Sequence, residues 1–295
     1  MRVRLIATAT ALILGAFQAF AQDSEEREGG IVGTGIVGEI IRLGSIFVND
    51  QKIEISDTMQ VTGSVPDITA GDLKPGHTVA VVAALEDDIW NAQHIRQVLP
   101  LVGTVEAVGD QLLTILGTEV EIEDHFAQVT VGDWVAVSGF WQEGRVRASR
   151  LELLPDWQGE AQVSGTFFRA SSGEPDRVGN TAISGIVPQH LSSGDLVRIS
   201  GKPVPGGIEA ERLETGLFDA TVGIVQVEGY FSAPQPDGLY TVLGSGLVAY
   251  TDQPGMIDVS VRTLQCGANG KLGEFPTSGL TPKETEAIRA KLDCL

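Results

Sequence analysis

The sequence predicts an all-β protein, a tandem array of small five-stranded barrels followed by one short C-terminal helix. Three observations carry that prediction: a glycine-anchored motif that recurs, short strands of alternating polarity between turn signals, and a single well-capped helix at the end. Aligned on Gly76, Gly132 and Gly194, each copy has an apolar residue three positions earlier (Leu73, Val129, Leu191). Two more follow at three and five positions: Val79 and Val81, Val135 and Val137, Val197 and Ile199. Period-two alternation marks a strand with one buried face. Glycine takes positive φ without strain and the Asp that follows in two copies, Asp133 and Asp195, bonds nearby backbone, so the anchor reads as a turn. Gly139 and Gly201 come after the strand, with Ala83 at that place in the first copy. Glycine there predicts a bulge or sharp bend in a strand that curves around a small barrel.

The downstream half repeats as well. Trp90-Asn91-Ala92 ending at Ile95 matches Val146-Arg147-Ala148 ending at Leu151 and Ile208-Glu209-Ala210 ending at Leu213. A large and then a small inward residue fills a narrow barrel without overpacking. The anchors are 56 and then 62 residues apart, which sets the period of the repeat.

Residues 1–21 read as a signal peptide: Arg2 and Arg4, an apolar stretch from Leu5 to Phe20, and Ala19-Phe20-Ala21 as the cleavage site before Gln22. A membrane anchor is the rival reading, but the run is short for a span and no cationic stop follows it. Cleavage after Ala21 would place the mature chain in the periplasm or outside the cell. Residues 22–30, QDSEEREGG, form a polar leader expected to be disordered. The first repeat then covers 31–98, and its stretch from Val61 to Asp72 is an insertion that the second repeat lacks. The second repeat, 99–155, packs five short strands into about fifty-five residues, the count of a small Greek-key barrel of the OB type. The third spans 159–215, with a longer hairpin tip from Ala170 to Asn180. A degenerate fourth spans 220–270, where Met256 to Val261 is the expected substitute for the Gly-Asp strand although the anchoring glycine is missing. In the remaining 271–295, Thr281, Pro282 and Glu284 form a capping box with proline in the first turn. Ile288 and Leu292 give that helix an apolar edge with which to dock on the last barrel.

Cys266 and Cys294, 28 positions apart in a chain directed to an oxidising compartment, predict a disulfide. A free redox thiol is the competing reading, without CxxC spacing or an evident basic neighbour to support it.

The repeats resemble a widespread family of exported bacterial domains catalogued only as a domain of unknown function, with an OB-like fold. The matching stretches are Gly103-Thr104-Val105, Val131 to Gly139 and Arg145 to Glu152. The resemblance covers the first three repeats, the second best. It departs at Gly76-His77, where Asp is missing, and through most of the fourth. It implies fold and compartment and brings no catalytic residues.

The chain carries 39 acidic against 20 basic residues, a formal net charge of −19, and losing Arg2 and Arg4 with the leader makes the mature chain more acidic still. Such a surface repels phosphate backbones and anionic lipids, so nucleic acid is not an expected partner. The mature chain has no further apolar run long enough to span a bilayer. GxSxG, HExxH, GxxxxGK and paired CxxC motifs are absent. His77, His94, His125 and His190 are scattered, none at ligand spacing from another, so no metal or cofactor is expected. On the strand running into Glu123, alternation places Glu119, Glu121 and Glu123 on one face. With Asp124 they form a possible face for a hard cation such as calcium, against the plainer reading of a solvated strand face. Trp134 and Trp141 could form an outward aromatic patch for a ligand or partner, against the favoured reading that they fill a seam between repeats. The sequence therefore points to a non-enzymatic periplasmic binding or interaction protein, its partner a protein, envelope component or small ligand. The alternative is a cation-responsive or stress-linked envelope protein.

Overall fold

The structure is a computed structural model that describes residues 33–122, 128–170, 173–276 and 279–294. The predicted signal peptide and leader lie outside the described residues, as do Glu123, Asp124 and His125.

The chain folds as four successive five-strand units. The first contains β1 (Gly33–Arg42), β2 (Ile46–Val48) and β3 (Gln51–Glu54), then the inserted pair β4 (Gln60–Thr62) and β5 (Ile68–Thr69), then β6 (Thr78–Glu86) and β7 (Ile89–Gln97). The second is β8 (Leu101–Gly109), β9 (Leu112–Ile115), β10 (Thr118–Glu121), β11 (Trp134–Gln142) and β12 (Arg145–Leu153). The third is β13 (Ala161–Phe168), β14 (Asp176–Val178), β15 (Thr181–Gly185), β16 (Leu196–Val204) and β17 (Gly207–Thr215). The fourth is β18 (Val222–Gly229), β19 (Leu239–Thr241), β20 (Val248–Tyr250), β21 (Thr263–Ala268) and β22 (Lys271–Leu272), and α1 (Pro282–Lys291) follows it.

One pairing scheme serves every unit. In the second, β8 pairs β9, β9 pairs β10, β10 runs parallel to β12, β12 pairs β11, and β11 returns to β8. The third repeats that ring. So does the first, where β3 and β7 are the parallel pair. The fourth closes on a single bridge, Phe231 to Val242, with β20 and β22 parallel. It is a complete ring even though its anchor is lost. Its fourth strand is Thr263–Ala268, not the expected stretch from Met256 to Val261, which begins in a 3-10 turn at Pro254–Met256. The fifth strand, Lys271–Leu272, falls just beyond the boundary at 270.

The glycine corners share one environment. Gly76, Gly132 and Gly194 have φ of +88°, +97° and +101°, which disfavours any residue with a Cβ. Their N–H groups donate to the carbonyls of Ile40, Val105 and Phe167 on the first strand of each barrel, each at 2.9 Å. The N–H of each of those residues donates in return to the carbonyl of His77, Asp133 or Asp195. The strands that follow turn Val79, Val81, Val135, Val137, Val197 and Ile199 into the barrel cores, at most 1% exposed.

Register shifts fall between Val82 and Ala83, Ser138 and Gly139, and Ser200 and Gly201, so each predicted bend is a bulge. A Cβ on Gly201 would lie 2.0 Å from the Glu209 carbonyl oxygen, and one on Gly139 2.1 Å from that of Arg147. Gly201→Ala is therefore expected to lower stability by about 2–3 kcal/mol, because backbone rather than a flexible side chain must yield. Ala83→Gly, at a bulge that already holds a Cβ, is expected to cost only about 1 kcal/mol. Urea midpoints of the two variants test the contrast, and an unchanged G201A midpoint would show that the bulge relaxes freely.

The barrels are not beads on a string. β1 runs parallel to β18, with Ile36 opposite Gln226, and this fuses the first and fourth barrels into one sheet. β8 runs antiparallel to β13, with Leu101 opposite Val163, and this fuses the second and third into another. A unit of this size buries only about 60% of its unfolded surface, so sharing strand edges and apolar faces with neighbours stabilises each one. Arg262 ties three barrels together. Its guanidinium bridges to Glu39 of the first at 3.0 Å and to Glu228 of the fourth at 2.8 Å, and lies 4.1 Å over the Phe140 ring of the second.

The helix carries the expected capping box, with the Thr281 side chain accepting from the Glu284 N–H. It docks on the last barrel, as expected, and on the first as well. Ile288 and Leu292 join a core cluster that holds Ile36, Ile40 and Trp90 of the first barrel together with Ile224 of the fourth, and the Gln226 side-chain amide on β18 donates to the Leu292 carbonyl. The Cys266–Cys294 disulfide is formed, with Cα atoms 5.8 Å apart.

Candidate binding cavity between the first and second barrels

The insertion of the first repeat builds one wall of a concavity. β4 pairs in parallel with β7, Val61 lying opposite Ile95, and β5 folds back on β4. The turn beyond β5 is held by Asp72, whose carboxylate accepts from the Thr69 N–H at 2.9 Å and its hydroxyl at 2.8 Å. Between this flap and the last strand of the second barrel lies a cavity of about 530 Å³. Val65, Pro66, Ile68 and Leu73 form one wall and Leu153 and Leu154 the other. That volume lies within the range of small-molecule sites.

Asp72, Lys74, His77, Gln97 and Glu152 are its polar lining, and His77 meets Glu152 across the junction of the two barrels. In the second and third barrels the Asp after the corner glycine caps the turn: Asp133 Oδ2 accepts from the Thr130 N–H at 2.8 Å, and Asp195 Oδ2 from the Ser192 N–H at 2.7 Å. His77 does the same with a ring nitrogen, its Nδ1 accepting from the Lys74 N–H at 3.3 Å. An accepting Nδ1 leaves the proton of the neutral ring on Nε2. Nε2 lies 3.1 Å from Glu152 Oε2 and donates to it across the junction between barrels. The Asp-to-His departure of the first repeat thus keeps the cap and adds a link to the second barrel.

Glu152 is held as a carboxylate. The hydrogen bond from His77 is the main cause and brings its pKa down to about 2, against the opposing effect of burial, with Arg150 Nε adding a bond at 3.1 Å to Oε1. Each oxygen still has capacity for another donor. Because the folded-state pKa is depressed, this stabilisation is complete above about pH 4.5 and is lost as pH falls through about 2. The side chain is 26% exposed, so screening holds the contribution to the order of 2 kcal/mol. Glu152→Gln is expected to lower stability near neutrality and to flatten the acid limb between those pH values. Urea titrations of both proteins from pH 2 to pH 6 check this, and parallel acid limbs would contradict it.

His77 is 2% exposed with both nitrogens engaged, so the ring is not free to act as a base. The nearby Ser149 hydroxyl donates to the Gly76 carbonyl at 2.6 Å. The arrangement can hold a ligand. It offers no nucleophile beside a base.

The residues expected from sequence fall elsewhere. Trp141 is 4% exposed, and its Nε1 donates to the Ser164 carbonyl at 2.7 Å, so it fills the seam between second and third barrels and is not an outward patch. Trp134 is half-buried at the junction of the first and second barrels. The two are seven positions apart, an odd separation that sends them to opposite faces of β11, because the extra residue of the bulge, Ser149, lies on β12. Glu119 and Glu121 face guanidinium groups of the parallel strand β12. Arg145 reaches Glu119 at 3.3 Å and Glu121 at 3.0 Å, and Arg147 reaches Glu121 at 3.4 Å. These two carboxylates form a charge ladder rather than an open cation face. Among the described residues, no group of three or more His, Cys, Asp or Glu side chains is placed to hold a metal ion. Among them, too, no helix is long and apolar enough to cross a membrane.

The sequence does mark this cavity, through two departures in one repeat: an insertion found in the first copy and not the second, and His77 where Asp stands in the next two. The gap itself is made by side chains about eighty positions apart, which no local pattern joins. No curated protein and no solved structure matches the chain significantly. Residues 102–152, the second barrel from β8 into β12, match the family model of a domain of unknown function, DUF5666.

Proposed function

We propose that this is a non-enzymatic binding protein of the periplasm whose ligand is a small molecule with an apolar body and a cationic or hydrogen-bond-donating end. The observation that carries this reading is the apolar cavity of about 530 Å³ with the Glu152 carboxylate on its wall. The apolar walls take the body and the free lone pairs of Glu152 take the donor. The disulfide and the signal-like N-terminus support an oxidising compartment. The test is calorimetric titration with primary alkylamines from butylamine to octylamine, with 1-octanol as the uncharged comparison. Saturable binding that tightens with chain length is expected, weakened about tenfold or more by Glu152→Gln as a charge-assisted bond is lost. Absence of saturable heat with every amine would reject the reading.

A further inference from the structure

A second cavity, of about 200 Å³, lies between the first and third barrels and has the opposite character. Its lining contains Arg96 from β7, Arg198 from β16 and Arg212 from β17, with one carboxylate, Glu214. In a chain of formal net charge −19, three guanidinium groups around one small space are a local concentration of cationic donors. Two further observations point to a missing acceptor. The Arg96 Nε is buried without a hydrogen-bond partner, although the side chain is only 13% exposed. The Ser164 hydroxyl, on a residue 8% exposed, is also buried without one, and Ser164 lines the same cavity. Orphaned buried donors are rare because each forfeits its hydration.

The charges already present do not fill this role. Arg96 is paired with Asp219, Arg198 with Glu214 at 2.7 Å, and Arg212 with Glu160 at 2.8 Å. Asp219 and Glu160 are not in the cavity lining, so the cavity surface itself presents three guanidinium groups beside one carboxylate. Glu214 reports the field there. Its carboxyl is held below the usual range mainly by the bond from Arg198, with the Arg96 and Arg212 charges adding to it. Guanidinium groups match oxyanions because their planar donors pair with two oxygens at once.

We propose that this cavity is a binding site for a small oxyanion, the chemistry shared by phosphate and short carboxylates. It is separate from the alkylamine cavity and has the opposite ligand charge, so the two readings fail independently. The test uses the full-length mature protein in chloride buffer, titrated with inorganic phosphate and, in a second arm, with malonate, at constant ionic strength. Saturable single-site binding is expected in at least one arm, with a rise in melting temperature that matched sodium chloride does not give. Phosphate alone would identify a tetrahedral ligand and malonate alone a planar carboxylate. Arg212→Gln, at a side chain 60% exposed, is expected to fold normally and to weaken binding about tenfold. Ser164→Ala is expected to weaken it less, and Glu152→Gln to leave it unchanged. No saturable effect with either probe, or wild-type affinity in the Arg212→Gln protein, would overturn the proposal and leave the cavity to water.

Discussion

Replacing Trp141 with alanine is expected to lower stability by about 3–5 kcal/mol, the range for removing a buried aromatic from a packed site. This residue belongs to the second barrel but sits in the third. Gly165 and Gly179 leave the hole it enters, since a Cβ on either would come within 2.5 Å and 2.0 Å of its ring. Truncation would empty that hole, and it would also strand the Ser164 carbonyl that now accepts from the indole. Trp141→Phe, which keeps most of the volume and loses the hydrogen bond, should cost about 1–2 kcal/mol. Gly179→Ala disturbs the same contact from the other side. Its effect should therefore not add to that of Trp141→Ala, because residues in contact couple in a double-mutant cycle. Urea unfolding of the three single variants and the double variant measures this. A loss below about 1 kcal/mol for Trp141→Ala would mean that the two barrels do not depend on each other through this ring.

That dependence marks the border between what the sequence discloses and what it leaves to the fold. Gly76, Gly132 and Gly194 are legible because positive φ admits few other residues, and the same demand is written three times at a steady period. Gly139 and Gly201 are legible because a bulge brings two backbones together. Thr281 and Glu284 act on neighbours three residues away, so the helix start is local information too. The destinations are not local. Ile288 and Leu292 announce an apolar edge, but an edge does not say what receives it, and the pairing of β18 with β1 makes the receiver the seam of the fourth and first barrels. Glu119 and Glu121 look like an open acidic face until the parallel pairing of β10 with β12 brings Arg145 and Arg147 beside them. The candidate sites belong to the same class. His77 and Glu152 meet across the first and second barrels, and Arg96 meets Arg198 and Arg212 across the first and third. Each barrel repeats one design, while the chemistry sits at junctions that do not repeat.

The disulfide tests the longest of these connections. Cys266 lies on β21 of the fourth barrel, where it is opposite Gln226, and Cys294 follows the helix. Between them the chain reaches the seam of the fourth and first barrels, where Leu292 and Cys294 are buried with Ile224, Ile40 and Trp90. The Gln226 side-chain amide donates to the Leu292 carbonyl, and Lys291 bridges to Asp88 at 2.9 Å. Removing the covalent link frees a loop of 28 residues in the unfolded chain, worth about 3–4 kcal/mol on the loop-entropy account. The Cys266→Ala, Cys294→Ala double variant is expected to lose about that much in urea unfolding. The released helix should also fray first, since a ten-residue helix is marginal without its tertiary contacts. Trp90 is 1% exposed in the cluster that the helix joins, so its emission should move to longer wavelength before the other tryptophans report unfolding. A variant in which all four tryptophans respond together at the wild-type midpoint would show that the apolar contacts of the helix hold it without the bridge.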